Sequence, residues 1–367
     1  WSLQQGKCLH NLSCRKRLTL QACLFRVPAL DPDFSGEIKL MTMSESATEI
    51  DKGMAGVVAA NTFLSDVRGD IGELIYCGYN IDDLAGNATY EEVVYLLYHK
   101  RLPSADELAD LKKNLAGRRE IPQGVVDLIK GLPDDTQPMH ALRTAVSALG
   151  CFDSNPESGD DLEAAREKSL NLIAQVPVLI AAFHRNRQGK EILTSDPELG
   201  EAANFLWLIN GEKPSTDMER TIDICYILHA DHGFNASTFS SRVTIATLSD
   251  VYSAITSAIG TLKGPLHGGA NEGVIKMLHE IGELDKVDAY VEDCLTNKRK
   301  IMGIGHRVYT TLDPRAPHLK RMAQQLTKEL GETKWIEMSE LIAELMKEKK
   351  NLNANVDFYS ATVYYSL

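Results

Sequence analysis

Four stretches in the last third of the chain hold residue types that packing alone does not require. The first is His229-Ala230-Asp231-His232, followed by Gly233, Phe234 and Asn235, at the end of an apolar helical pattern. The second, Gly264-Pro265-Leu266-His267-Gly268-Gly269-Ala270-Asn271, is a glycine-rich turn opening a helix. The third is Met302-Gly303-Ile304-Gly305-His306-Arg307 with Asp313-Pro314-Arg315 after it, and the fourth is Asn355-Val356-Asp357-Phe358-Tyr359-Ser360. Imidazoles and a carboxylate are the groups of proton transfer, and arginine offers a planar fork to a carboxylate. His267 and His306 stand in separate Gly-flanked turns, each expected just before a helix. There the backbone can approach a ligand closely, and free N–H groups and positive potential suit an anion. Taken singly, each stretch also has a plain structural reading: a hydrogen-bonded histidine, a Gly-Gly turn, Asp357 as a helix cap. Gly303 and Gly305 do not make a GxGxxG fingerprint and no clear strand precedes them, so a Rossmann reading is weak.

These groups need a scaffold, and the pattern around them is helical. Between Val57 and Cys77, β-formers flank a Gly punctuation, which reads as short strands with a turn at Arg68-Gly69-Asp70. Thr89 with Glu92, and Ser104 with Glu107, are capping-box patterns. Apolar spacing predicts helices over Met139–Leu149, Leu162–Ile173, Thr216–His229, Ser249–Ile259, Asn271–Ile281, His318–Leu330 and Lys334–Lys349. Roughly a dozen helices against one small hairpin make the class mainly α.

Composition narrows the function. With 367 residues, 44% of them hydrophobic, the chain can bury a sizeable core, and disordered or collagen-like classes are excluded. A net charge of -12 argues against a nucleic-acid partner. The longest apolar run, around Leu172–Phe183, is short and interrupted by Gln175 and Pro177, so a membrane span is excluded. Seven cysteines (Cys8, Cys14, Cys23, Cys77, Cys151, Cys225, Cys294) with no CxxC pair form neither a disulfide framework nor a zinc site, which points to a reducing, cytoplasmic compartment. The chain starts at Trp1. Its first 30 residues contain Lys7, Arg15, Lys16, Arg17 and Arg26 and no acid, a composition compatible with a transit peptide or with translated upstream sequence. Residues 1–42 are expected to lie outside the fold. At the other end, the aromatic run from Asp357 to Leu367 stops in mid-pattern, which suggests that more sequence follows in the complete protein.

The segments 264–271, 303–315 and 355–361, in that order and spacing, closely resemble the signature regions of citrate synthases. The similarity runs from about Gly53 to the end, and the wording GHRVY at 305–309 and NVDFYS at 355–360 is similar to the shorter bacterial and archaeal branch. The resemblance implies a two-domain helical fold with the site in the cleft, mapped here as a large domain of 43–267 plus 353–367 and a small one of 268–352. It implies condensation of acetyl-CoA with oxaloacetate, then hydrolysis of citryl-CoA, with no metal and no cofactor beyond the substrates. Asp357 would remove a proton from the acetyl methyl group, His267 would hydrogen-bond the thioester oxygen, and His306 would donate a proton to the oxaloacetate carbonyl. His232 and Arg315 would hold oxaloacetate. The anionic CoA needs local cations, for which Arg307, Lys263, Lys298 and Lys300 are candidates. A neutral His267 at a helix N-terminus suits the donor role. The family implies a homodimer. Its members continue for some tens of residues beyond the NVD segment and there supply two further arginines, so a chain ending ten residues after Asp357 is expected to be impaired.

Two rival readings share parts of this evidence. A 2-methylcitrate synthase would run the same chemistry on propionyl-CoA, and a methylene distinguishes the two by only about 1–3 kcal/mol. Arg307, where many methylcitrate enzymes are expected to carry Pro, favours citrate. A metal-dependent hydrolase would instead use His229, Asp231, His232 and His279 as ligands.

Overall fold

The computed structural model describes residues 60–155, 160–264 and 267–367. Residues 1–42, expected to lie outside the fold, are outside the described residues, as are Pro265 and Leu266. Chain order begins with a small antiparallel sheet of β1 (Ser65–Arg68), β2 (Glu73–Tyr76) and β3 (Tyr79–Asn80), arranged β1-β2-β3. Ser65 faces Tyr76 and Arg68 faces Glu73. The expected turn extends to Gly72, whose N–H returns to the Arg68 carbonyl at 2.9 Å. The third strand is an addition to the expected hairpin: two residues are too short to leave an alternating pattern.

Helix starts follow from side chains that satisfy the first free amides. Asn80 caps α1 (Ile81–Asn87) by accepting from the Asp82 N–H. Both expected capping boxes form, opening α2 (Tyr90–His99) from Thr89 and α3 (Ala105–Ala116) from Ser104. Then come α4 (Gln123–Lys130), α5 (Pro138–Leu149) and α6 (Leu162–Arg187). The helix expected over 162–173 is only the first half of α6, which runs on through Pro177. Proline removes one backbone bond there, but Leu172, Ala174, Val178 and Leu179 are all buried and hold the helix across it. α7 (Glu201–Asn210), α8 (Thr216–His229), α9 (Ala236–Ile245) and α10 (Val251–Leu262) follow. The chain closes with α11 (Ala270–Ile281), α12 (Val287–Thr296), α13 (Ala316–Glu329), α14 (Lys334–Lys350) and α15 (Val356–Ser366). The mainly helical reading therefore holds, and among the described residues no helix is long and apolar enough to cross a membrane.

Two main cores collect the apolar faces. One joins Leu74 and Tyr76 of β2 with Ile227 and Leu228 of α8 and with α11 to α15; Phe358 and Val363 of α15 lie wholly buried in it. The other packs Val125 and Ile129 of α4, Val146 of α5, Leu179 of α6 and Ile259 of α10. The Ala- and Ser-rich α10 packs on α9 and α5, and α15 packs on α11, α13 and α14. Small side chains on α10 let its neighbours approach closely, which is why that stretch is rich in them.

Candidate active site

Two loops carry His232 and His306, and three helix starts carry His267, Arg315 and Asp357. His232 sits in the turn between α8 and α9. Its Nε2 lies 3.2 Å from the Tyr309 hydroxyl, and its ring centroid is 5.6 Å from that of His306. His306 and Tyr309 rings are 4.7 Å apart. The Nδ1 of His306 accepts from the backbone N–H of Val308 and of Tyr309, each at 3.0 Å. With Nδ1 an acceptor, the neutral ring carries its proton on Nε2. No helix directly follows His306: α13 begins ten residues later, at Ala316. The expectation of a helix N-terminus is thus corrected for His306. The loop's own amides orient the ring instead.

Arg315 is buried and already engaged. Its Nε donates to Asp313 Oδ1 and its Nη2 to Asp313 Oδ2, both at 2.9 Å. Asp313 also accepts from the Arg315 N–H at 3.1 Å and from the Val356 N–H at 3.0 Å. Burial would push the Asp313 carboxyl up, but the guanidinium and its hydrogen bonds outweigh that and hold it below its ordinary value. A substrate carboxylate would have to take the Nη1 side of the fork, since Asp313 occupies the Nε–Nη2 side.

The backbone around residue 304 ties this loop to Asp357. Ile304 and Ala354 form an isolated antiparallel bridge; Gly305 N–H donates to the Asn353 carbonyl at 2.8 Å and Asn355 N–H to the Gly303 carbonyl at 3.0 Å. Only glycine fits at 303, where φ is +72° and a Cβ would come within 2.8 Å of Val274 Cγ2 and 2.9 Å of Phe358 Cα. Asp357 is not the cap of α15. Asn355 is, accepting from the Asp357 N–H at 3.0 Å, and Asp357 lies in the first turn. Burial raises the Asp357 carboxyl above its ordinary value, against the pull of Arg315 and Lys300 and with the help of Asp313.

His267 stands one turn ahead of α11, as expected. Its Nε2 is 2.7 Å from Ser237 Oγ in the first turn of α9, where Asn235 caps the helix. Burial, then the nearby Arg307, lower its basicity. Burial likewise lowers His306 against the opposing pull of Asp313, with Arg315 adding to it, and it pushes His232 far down, assisted by Arg315 and His306. In all three imidazoles the surroundings thus favour the neutral form.

His232 and His306 are ring neighbours, Arg315 acts electrostatically on both and on Asp357, and Arg307 acts on His267. Of the four cations singled out for CoA, Arg307 acts on His267 and Lys300 on Asp357. Lys263 closes α10 and Lys298 is exposed at φ +54°, neither with a described contact to these groups. The metal-ligand reading is overturned by geometry. His229 bonds the Cys225 carbonyl, Asp231 engages Ser65, and His279 packs between Trp335 and Tyr365. Among the described residues no three His, Cys, Asp or Glu side chains converge as a metal site. Sequence reasoning gave no role to Tyr309, Ser237 or Asp313, although Tyr309 and Asp313 lie in stretches it singled out. For Asp313 the signal was available: an acid two residues from the arginine it neutralises.

Imidazoles whose burial disfavours protonation, a carboxylate that burial raises above its ordinary value and a buried guanidinium are groups suited to acid–base chemistry beside an anion. Comparison with known proteins makes the class specific. Residues 53–367 match the family model "Citrate synthase, C-terminal domain". Citrate synthase 2 of Bacillus subtilis is 50% identical over 317 residues, covering 86% of this chain and 84% of that one. 2-Methylcitrate synthase 2 of Corynebacterium glutamicum is 39% identical, covering 88% and 86%. The ternary complex of carboxymethyl coenzyme A and oxaloacetate with citrate synthase of Thermoplasma acidophilum superposes with a TM-score of 0.82 at 31% identity, covering 87% of this chain and 84% of that one. The chain belongs to the citrate synthase family, and it is an acyltransferase enzyme.

Proposed function

We propose that the chain condenses acetyl-CoA with oxaloacetate through the residues assembled above. Oxaloacetate sits between His232, His306 and the Nη1 side of Arg315. Asp357 removes a proton from the thioester methyl group; burial has raised its carboxyl, which makes it a stronger base than an exposed aspartate. In this mechanism the Ser237 hydroxyl donates to His267 Nε2, and the neutral ring presents Nδ1–H to the thioester oxygen as the enolate forms. The enolate carbon bonds the oxaloacetate carbonyl carbon, and His306 Nε2–H gives its proton to the carbonyl oxygen. Citryl-CoA is then hydrolysed. The observation that carries this reading is the pair of backbone amides on His306 Nδ1, which leaves the proton of the neutral ring on Nε2 as the donor.

Arg307 and Lys300 supply positive charge for CoA in this proposal, with Lys263 and Lys298 as outer contributors. The chain acts as a homodimer, as its family implies. Of the two lobes expected above, 43–267 with 353–367 and 268–352, the contacts of α15 with α11, α13 and α14 favour moving 353–367 to the smaller one, which closes over oxaloacetate. The test is steady-state condensation with acetyl-CoA and with propionyl-CoA. Faster turnover of acetyl-CoA is expected, and Arg307→Ala should raise KM for acetyl-CoA more than KM for oxaloacetate. Preference for propionyl-CoA would reassign the substrate. An unchanged acetyl-CoA KM would remove Arg307 from the CoA site.

A further inference from the structure

The three-stranded sheet contributes no group to the chemistry, yet it touches both loops that carry the oxaloacetate histidines. At one end, Ser65 Oγ–H donates to Asp231 Oδ1 and accepts from the Gly233 N–H at 3.1 Å. Tyr76, fully buried, places its hydroxyl 2.8 Å from the Asp231 carbonyl and 3.2 Å from the Asp231 N–H. The residues on either side of His232 are thus both held from β1 and β2. At the other end, the Gly69 carbonyl accepts from the Thr310 N–H at 2.9 Å. A Cβ at 69 would lie 2.2 Å from the Val308 carbonyl oxygen, and one at 72 would lie 2.8 Å from that of Leu312. Val308 is the residue whose amide holds His306 Nδ1. The hairpin is itself stiffened by Arg68, which bonds Asp66 at 2.8 Å and Glu73 at 3.0 Å.

We propose that this sheet is a brace fixing the separation of the His232 and His306 turns, with Ser65, Gly69 and Tyr76 as positioning residues for oxaloacetate. The proposal rests on the reading that these two histidines hold oxaloacetate. Misplacing catalytic groups by an ångström is costly, and both turns lack a helix of their own at the histidine, so an outside frame has work to do.

The experiment measures oxaloacetate affinity by calorimetry, KM for each substrate, and thermal stability for the full chain and for Ser65→Ala, Ser65→Thr, Gly69→Ala and His232→Ala. Ser65→Ala and Gly69→Ala should each weaken oxaloacetate binding about tenfold while acetyl-CoA KM stays within about twofold, and Ser65→Thr, which keeps the hydroxyl, should restore affinity. If Gly69→Ala does not fold, Ser65→Ala decides alone. Unchanged oxaloacetate affinity in folded Ser65→Ala, with His232→Ala impaired, overturns the brace and spares the site. Unchanged affinity in His232→Ala, or no oxaloacetate binding by the parent chain, overturns the site reading and the brace with it.

Discussion

Removing the carboxylate of Asp313 should unsettle both stability and substrate binding. The side chain takes four hydrogen bonds: two from the Arg315 guanidinium and one each from the Arg315 and Val356 amides. The guanidinium it neutralises has a side chain only 6% exposed. Asp313→Ala therefore leaves an uncompensated buried charge, a change that costs about 3–5 kcal/mol. Asp313→Asn keeps the volume and one accepting oxygen, so about 2–3 kcal/mol is expected, the loss of hydrogen bonds to a charged group. Because the folded carboxyl is held below its unfolded value, its contribution is fully present above the unfolded value of 3.8 and vanishes as pH falls through the lowered folded value. Wild type and Asp313→Asn should accordingly differ at neutral pH and converge in acid. Urea unfolding of both across that range, with a double-mutant cycle against Arg315→Ala, is the assay. A coupling energy near zero, or a difference that persists unchanged in acid, would refute the argument.

Asp357→Asn should lower kcat by about 10²–10⁴-fold with little change in oxaloacetate KM. The same substitution should abolish the acid limb of the pH–rate profile, which in the parent falls as pH drops through a carboxyl value raised above 3.8; a limb that survives in the variant counts against Asp357 as the base. His267, lowered from 6.5, should remain neutral at pH 7 in a nitrogen NMR titration of the intact protein, and a protonated ring there would remove it as a neutral donor. Gly303→Ala, forced to φ +72° against Val274 and Phe358, should destabilise by about 2–4 kcal/mol in urea unfolding; a loss under about 0.5 kcal/mol would show that the contact relaxes freely.

Helix positions were legible where a local signal sufficed. The capping boxes at Thr89 and Ser104 and the stretch 216–229 correspond to α2, α3 and α8 because side chain and backbone settle those starts within one turn. α6 was not legible past Ile173, since a proline that ends an isolated helix is overridden when both flanks are buried. The residues of the site were visible as types and spacings. Their partners were not: Ser237 meets His267 across 30 positions, and Tyr309 meets His232 across 77, distances over which only the packed fold brings residues together. The family resemblance supplied roles for His267, His306 and Asp357. The tautomer of His306 came from two amides that no sequence pattern displays.

The strand-like seam between 303–305 and 353–355, together with the amide of Val356 hanging from Asp313, has a mechanical consequence. The carboxylate of Asp357 and the guanidinium of Arg315 are riveted to one another through that seam and through Asp313. In the mechanism proposed above, base and anchor would then travel through a turnover as a single piece, their mutual distance set by folding, with only the approach to His267 left for the substrate to complete.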